Sequence, residues 1–244
     1  MECKISVKNL SVSFEQKSII KNLSLDIDSG ENLFVIGGSG SGKSVLVKSI
    51  VGILPRSSGV VKMNSNQLFD DVVKNVQKHQ ISVTFQNDGL FDSMNVMQNL
   101  CFALLKRKKV KNKEAVKIAK DAAKDMGLDS EVLDVYPHEL SGGMRKRIAV
   151  ARGIITLPKI IFFDEPTTGL DPITSDKISG VIHQYTKSTK VTSVIITHNI
   201  NHARRFADKI AVMKSGKIIW HDKAENLQSS KDPYVKKLIS LCGK

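Results

Sequence analysis

Cysteine is scarce in this 244-residue sequence, which holds only Cys3, Cys101 and Cys242, all far apart along the chain. An odd number without a C-x-x-C pair argues against a disulfide framework and a zinc site, so we expect a reducing compartment. No run of about 18 apolar residues occurs, so we expect no membrane span. The N-terminus lacks a basic region followed by an apolar one, which predicts no secretory signal and a cytoplasmic protein.

Acidic residues are also few, with 24 Asp and Glu against 37 Lys and Arg, for a formal net charge of +13. Such an excess raises the hypothesis of a nucleic-acid partner. The basic residues are spread along the chain, however, and the densest run, residues 106–113, has no interleaved aromatic residues on which bases could stack. We therefore expect no nucleic acid, and the run is either a solvated surface or a contact with an anionic membrane.

The most informative segment that is present is a glycine-rich loop at residues 37–44, which fits the pattern G-x-x-x-x-G-K-[ST] at every fixed position. Apolar residues 33–36 before it predict a strand, and Leu46, Val47 and Ile50 after it recur at helical spacing. Glycines let successive N–H groups turn toward a phosphate, and the helix N-terminus adds a positive dipole end. The pattern assigns phosphate binding to Gly37, Gly38, Ser39, Gly40, Ser41, Gly42, Lys43 and Ser44, with Ser44 also on Mg²⁺.

The remaining hydrophobic pattern predicts an α/β fold. Residues 160–163 and 194–196 are apolar on both faces, as in strands buried in a parallel sheet. Residues 5–27 alternate in strand fashion and suggest a small antiparallel sheet, to which residues 60–63 could add a strand. Residues 95–129 show helical periodicity and resemble a helical insertion.

Two acidic residues, Asp164 and Glu165, directly follow one of the buried strands. Ligands of open α/β sheets bind beyond the carboxyl ends of the strands, which is where these side chains would emerge. Asp164 suits Mg²⁺ coordination, and Glu165 can orient and deprotonate a water. In isolation such a pair could equally be a helix cap, but the upstream phosphate loop favours the catalytic interpretation. His198, at the end of another strand, could contact the γ-phosphate and align the water.

A further segment, Leu140-Ser141-Gly142-Gly143-Met144, resembles the LSGGQ signature of ABC-type ATPases, with Met144 in place of the usual glutamine. The resemblance covers essentially the whole chain. It implies a P-loop ABC ATPase with a RecA-like, mostly parallel sheet, a small antiparallel β subdomain and a helical insertion. Its expected parts are an ATP-binding core at 1–90, a helical signature subdomain at 91–142, and the remainder of the core at 143–244.

The resemblance also assigns roles to residues in the family motifs. Gln86 falls at the Q-loop glutamine, Asp171 in the D-loop, and Phe14 where an aromatic ring stacks on adenine. Catalysis would involve Gln86, Glu165 and His198, and Mg²⁺ would be held by Ser44, Gln86 and Asp164. In a head-to-tail dimer with a second copy, Ser141, Gly142, Gly143 and Asp171 would contribute to the ATP held by the opposite phosphate loop.

Local stretches narrow the resemblance further. Residues 42–46, 89–94 and 144–147 look like the ATP-binding subunits of Mla-type, MCE-associated phospholipid transporters. The expected function is thus ATP hydrolysis coupled to phospholipid transport on the cytoplasmic face of an inner membrane. Partners would be a separate permease, an MCE protein and a small cytosolic regulatory subunit.

The alternatives are an importer ATPase for amino acids or other small solutes, and a soluble nucleic-acid ATPase. The permease's coupling helix would enter a groove beside Gln86, lined by Leu90, Phe91, Met94, Val96 and Met97.

Overall fold

The computed structural model describes residues 4–15, 17–64, 66–68, 71–108 and 110–242. Within these ranges the chain forms two β-sheets surrounded by α-helices. The strands are β1 (Ile5–Phe14), β2 (Lys17–Ile27), β3 (Asn32–Ile36), β4 (Ser58–Met63), β5 (Asn66–Leu68), β6 (Ile81–Thr84), β7 (Ile160–Asp164), β8 (Thr192–Thr197), β9 (Lys209–Lys214) and β10 (Lys217–Lys223). The helices are α1 (Lys43–Val51), α2 (Val72–His79), α3 (Val96–Ala103), α4 (Asn112–Asp125), α5 (Gly142–Ile154), α6 (Pro172–Thr189), α7 (Ile200–Phe206) and α8 (Pro233–Cys242).

The larger sheet has the strand order β10-β9-β3-β8-β7-β6. Neighbouring strands from β9 to β6 are parallel, and β10 runs antiparallel at the edge. Every residue of β3, β7 and β8 is buried, as their uninterrupted apolar character predicted. In register, Ile36 lies beside Thr197 and Asp164 beside Ile196, so these three strands end at the same edge of the sheet.

The smaller sheet is antiparallel, with the order β2-β1-β4-β5. Its alternating pattern was visible in the sequence, and β4 confirms the strand predicted for residues 60–63. Side chains that alternate along β1, such as Ile5, Val7 and Val12, are fully buried in a core shared with α1. This sheet therefore covers one side of the glycine-rich loop and the helix that follows it.

The predicted helical insertion is present as α3, a π-helical turn at Leu104–Lys108, and α4. Ala115, Ala119 and Ala123 recur every four residues on the buried side of α4, where small side chains allow close helix packing. The subdomain boundaries expected at residues 91 and 142 stay a prediction. No helix in the described part of the chain has both the length and the apolar composition needed to cross a membrane.

Candidate active site

Four loops meet at the carboxyl edge of the large sheet and border an open cavity of about 790 Å³. They follow β3, β6, β7 and β8, which places side chains far apart in sequence around one space. The cavity is lined by Lys17, Ile19, Ser39, Gly40, Ser41, Gly42, Lys43, Ser44, Val45, Gln86, Glu165, Thr168 and His198. The sequence-predicted phosphate loop and all three predicted catalytic residues thus share one cavity.

The glycine-rich loop keeps its shape because two of its positions accept only glycine. A Cβ on Gly37 would lie 2.2 Å from the Met213 carbonyl oxygen, so the loop packs directly on the end of β9. Gly42 caps α1 in the left-handed region, with φ 102°. The N–H groups of the first turn of α1 consequently begin at the loop, where a bound anion can accept from them.

Lys43 points back across its own loop. Its Nζ atom donates to the carbonyl oxygens of Gly37 (2.9 Å) and Gly38 (3.1 Å). Burial lowers the pKa of Lys43, and the carboxylates of Glu165 and Asp164 oppose that shift. The ammonium group therefore lies in a desolvated setting where a phosphate would be a better partner than two neutral carbonyls.

Ser44 donates from its hydroxyl to Asp164 Oδ1 at 2.9 Å, which joins α1 to the end of β7. Asp164 is only 3% exposed, and burial raises the pKa of its carboxyl while the Ser44 hydrogen bond lowers it. Gln86 lines the same cavity as Ser44, and its amide oxygen, with the oxygens of Ser44 and Asp164, is of the ligand type that Mg²⁺ prefers. The Ser41 hydroxyl is buried without a partner among the described residues, as expected of a group that meets a phosphate.

Glu165 is held by two contacts to one carboxylate oxygen. Thr168 donates from its hydroxyl to Glu165 Oε2 at 2.6 Å, and His198 Nδ1 lies 2.9 Å from the same atom. The backbone of Glu165 has φ +53°, an unusual conformation fixed by the bond from its N–H to the Ile196 carbonyl. The arrangement points an oriented carboxylate into the cavity, which is the geometry that a general base requires.

The predicted signature and D-loop residues lie outside this cavity. The Ser141 hydroxyl caps α5 by accepting from the Met144 N–H (3.2 Å), and the Asp171 carboxylate caps α6 by accepting from the Thr174 N–H (2.9 Å). A Cβ on Gly143 would lie 3.6 Å from Leu170, so the signature turn and the D-loop pack side by side. Within one chain these residues, with Gly142, form a separate surface.

Phe14 ends β1 and is 42% exposed, and it is absent from the lining of the cavity. Its contact with adenine stays a prediction. Sequence reasoning assigned no site role to four residues that line the cavity, Lys17, Ile19, Val45 and Thr168. Thr168 could have been found from the sequence, because it lies only three residues after the predicted catalytic Glu165. The alternating pattern of β2 did not indicate that Lys17 and Ile19 line a site.

The groove expected beside Gln86 needs one correction. Val96 is fully buried at the start of α3 and belongs to the main core, so it does not line a surface groove. It is the first residue of α3, where its N–H donates to the Val135 carbonyl at 3.0 Å and holds it against the core. Phe91, by contrast, is 41% exposed, with Phe102 and Arg152 against its ring.

Residues 20–168 match the family model described as "ABC transporter". The chain belongs to the ABC transporter family. One relative is the methionine import ATP-binding protein MetN of Lactobacillus johnsonii, 36% identical over 90% of this chain and 64% of MetN, so the chain spans under two thirds of that protein. Another is the probable ribonucleotide transport ATP-binding protein mkl of Mycobacterium leprae, 33% identical over 97% of this chain and 68% of that protein.

A solved structure of the ATP-binding cassette MJ0796, dimeric and bound to ADP and Pi after hydrolysis, superimposes on this chain with a TM-score of 0.83. The two are 28% identical, over 90% of this chain and 98% of that one. The predicted ABC ATPase fold is confirmed, and the family match establishes the chain as an ATPase that binds ATP.

Proposed function

We propose that this chain is the ATP-hydrolysing subunit of an ABC importer for a small solute of the amino-acid class. It would act as a homodimer bound to a separate permease on the cytoplasmic face of the membrane. The observation that carries the catalytic part is the single cavity in which Lys43, Ser44, Glu165 and His198 meet.

In this proposal the residues of the cavity have separate roles in phosphate binding, Mg²⁺ binding and proton transfer. Lys43 and the N–H groups at the start of α1 would bind the β- and γ-phosphates, and Ser44, Asp164 and Gln86 would hold Mg²⁺, which neutralises charge on the phosphates. Glu165, oriented by Thr168 and His198, would accept a proton from the attacking water. Its fixed position avoids the entropy cost of aligning a base at the moment of reaction.

The second copy would complete each site. Ser141, Gly142, Gly143 and Asp171 lie outside their own cavity, and the N-terminus of α5 presents backbone N–H groups suited to a phosphate. The dimeric state of MJ0796 supports the same arrangement for this chain. The permease would dock at exposed Phe91, in the same loop as Gln86.

The solute class rests on similarity to MetN, whose name states methionine import. This favours the amino-acid alternative over the phospholipid function predicted from the sequence. Phospholipid remains the second candidate, because residues 89–94 and 144–147 resemble Mla-type subunits. An MCE protein and a small regulatory subunit would be partners only under that second candidate.

The test starts from the tagged chain purified from its native membranes, with copurifying permease identified by mass spectrometry. ATP hydrolysis by the complex is then measured in nanodiscs of phosphatidylethanolamine and phosphatidylglycerol, and in detergent with a mixture of amino acids. The complex that carries Glu165→Gln is the matched control for ATP hydrolysis. Stimulation by amino acids in the wild type alone supports the proposal.

Stimulation by the phospholipid nanodiscs, with no response to amino acids, would overturn the solute class and leave the ATPase assignment intact. Recovery of the chain without any membrane protein would contradict the permease. Equal turnover by wild type and Glu165→Gln would contradict the catalytic assignment itself.

A further inference from the structure

The loop that carries Gln86 is bonded to the signature helix through Lys146, whose side chain is largely buried. Lys146, in the second turn of α5, donates from Nζ to the backbone carbonyl of Gln86 at 3.1 Å. The same Nζ lies 3.4 Å from Asp88 Oδ1. The side chains of Lys146 and Asp88 are 11% and 15% exposed, so both partners are largely removed from water.

Two further cations of α5 hold the same segment. Arg145 Nε lies 3.7 Å from the second carboxylate oxygen of Asp88, and Arg152 donates to the Asp88 carbonyl at 3.1 Å. Asn99 of α3 is fully buried and bonds both the N–H and the carbonyl of Phe91, five residues beyond Gln86. Residues 86–91 are therefore bound to the two helices at several points along their length.

Stability alone is a poor explanation for the lysine. Removing an ammonium group from water is costly, and buried ion pairs add little net stability compared with apolar residues of similar volume. A methionine side chain, one heavy atom shorter than that of lysine, would fill most of the same space without that cost. What the ammonium supplies and methionine lacks is a directed bond to the Gln86 carbonyl, which fixes the backbone from which the Gln86 side chain enters the cavity.

We propose that Lys146, braced by Asp88, is a positioning residue that holds Gln86 toward the Mg²⁺ site formed with Ser44 and Asp164. The proposal rests on the proposed function, in which Gln86 contacts that ion. Because Lys146 belongs to the helix whose first turn is the signature, movement of that turn would shift Gln86 in the same chain. The sequence pattern assigned no role in catalysis to the charged residues after Gly143, and this proposal assigns one to Lys146.

The experiment measures the affinity of the complete chain for a fluorescent trinitrophenyl-ATP, with Mg²⁺ and with EDTA. Lys146→Met should reduce the gain in affinity that Mg²⁺ brings by about tenfold, the lower end of what a hydrogen bond to a charged group contributes, with little change in EDTA. Lys146→Arg, which keeps the charge and the donors, should restore part of the gain. Lys120→Met, the same change on the exposed side of α4, is the matched control.

Gln86→Ala should show the same loss as Lys146→Met, and the double variant should lose no more than either, because both changes remove one coupled contact. An unchanged Mg²⁺ gain in Lys146→Met, beside a lowered gain in Gln86→Ala, would overturn the positioning role alone. Equal loss of affinity in Mg²⁺ and EDTA, with a lower melting temperature, would assign Lys146 to stability. A wild type without any Mg²⁺ gain would overturn the proposed Mg²⁺ site and this proposal with it.

Discussion

Glu165 occupies a left-handed backbone conformation, φ +53°, that costs free energy for any residue but glycine. The bond from its N–H to Ile196 and the two contacts to its carboxylate keep it there. Ser44 and Asp164 are also held in place by a direct contact, because the hydrogen bond between their side chains orients both before any ion is bound. At this scale the site is preorganised, so we expect single substitutions to separate ATP binding from ATP hydrolysis.

Glu165→Gln should slow ATP hydrolysis by about 10²–10⁴-fold while leaving ATP binding intact, because the amide keeps the shape and loses the base. Phosphate release and nucleotide affinity are measured on the same preparation. Glu225→Gln, an exposed carboxylate elsewhere, serves as the control. Near-normal turnover in Glu165→Gln would remove it from the role of base.

Lys43→Ala should instead weaken nucleotide binding, since it removes the charge that in our proposal faces the β- and γ-phosphates. Isothermal titration with ATP in EDTA isolates this effect from that of Mg²⁺. Wild-type affinity in Lys43→Ala would show that the loop carbonyls, and not a phosphate, are its functional partners.

At the scale of elements, the site depends on the parallel pairing of β3, β7 and β8, which brings three strand ends to one edge. The start of β9 is joined to the turn before β3 by Lys209, whose Nζ donates to Asp28 and Glu31 at 2.8 Å each. Glu31 is 7% exposed, and one of its oxygens has no partner among the described residues. The lysine therefore neutralises a carboxylate that lies at the base of the phosphate-loop strand.

Lys209→Met should lower the free energy of unfolding by about 2 kcal/mol, because it leaves Glu31 buried without a cation. Lys4→Met is the matched control, since Lys4 and Asp28 form an exposed pair and should contribute at most about 0.5 kcal/mol. Urea unfolding compares the two variants. Equal effects would show that burial of Glu31 is not what makes the Lys209 contact matter.

The pH dependence of this effect has a defined sign. Hydrogen bonds to Asp28 and Glu31 raise the pKa of Lys209 from 10.5 to about 12. The folded state favours the charged lysine, so its contribution is complete below 10.5 and is lost only as pH rises through about 12. The difference in melting temperature between wild type and Lys209→Met should hence be constant from about pH 6 to about pH 9.

Phe91 belongs to the loop between the large sheet and the helical insertion, and it packs edge-on against Phe102 with ring centroids 4.9 Å apart. We expect Phe91→Ala to spare the fold and weaken assembly with the permease by about 2 kcal/mol, the scale of an aromatic hot spot. Pull-down with the copurified permease and a melting curve of the isolated chain measure the two effects. Val73→Ala, another exposed apolar residue, is the control.

At the scale of the whole molecule, the predicted ATP-binding residues of one chain are divided between two surfaces. The phosphate loop and Glu165 line the cavity, and the signature turn with Asp171 lies apart from it. A two-fold dimer would bring the signature turn of each copy to the cavity of the other. The chain would then hydrolyse ATP at sites that neither copy completes alone.

ATP should therefore convert the Glu165→Gln chain from monomer to dimer in multi-angle light scattering, and Ser141→Arg should abolish that change by placing a bulky side chain at the signature turn. Ser188→Arg, near the end of α6, supplies an equivalent substitution on an exposed helix. Dimer formation that survives Ser141→Arg would contradict the shared site.

The sequence by itself determined the local features of this protein. The phosphate loop was specified by the glycine pattern of residues 37–44, together with the strand before it and the helix after it. The conformation of such a loop depends on residues that are neighbours in the sequence. Uninterrupted apolar strands specified a parallel sheet, and hence the edge where Glu165 and His198 emerge. The family motifs are likewise short stretches of neighbouring residues, so they identified the ATPase from the sequence alone.

Tertiary structure decided which side chains come into contact when they are far apart in the sequence. Helical periodicity alone did not show that Val96 turns into the core, and strand alternation did not show that Lys17 and Ile19 reach the cavity. The contact between Lys146 and Gln86 joins residues 60 positions apart. Such contacts arise from the packing of whole helices and sheets, which local sequence patterns do not encode.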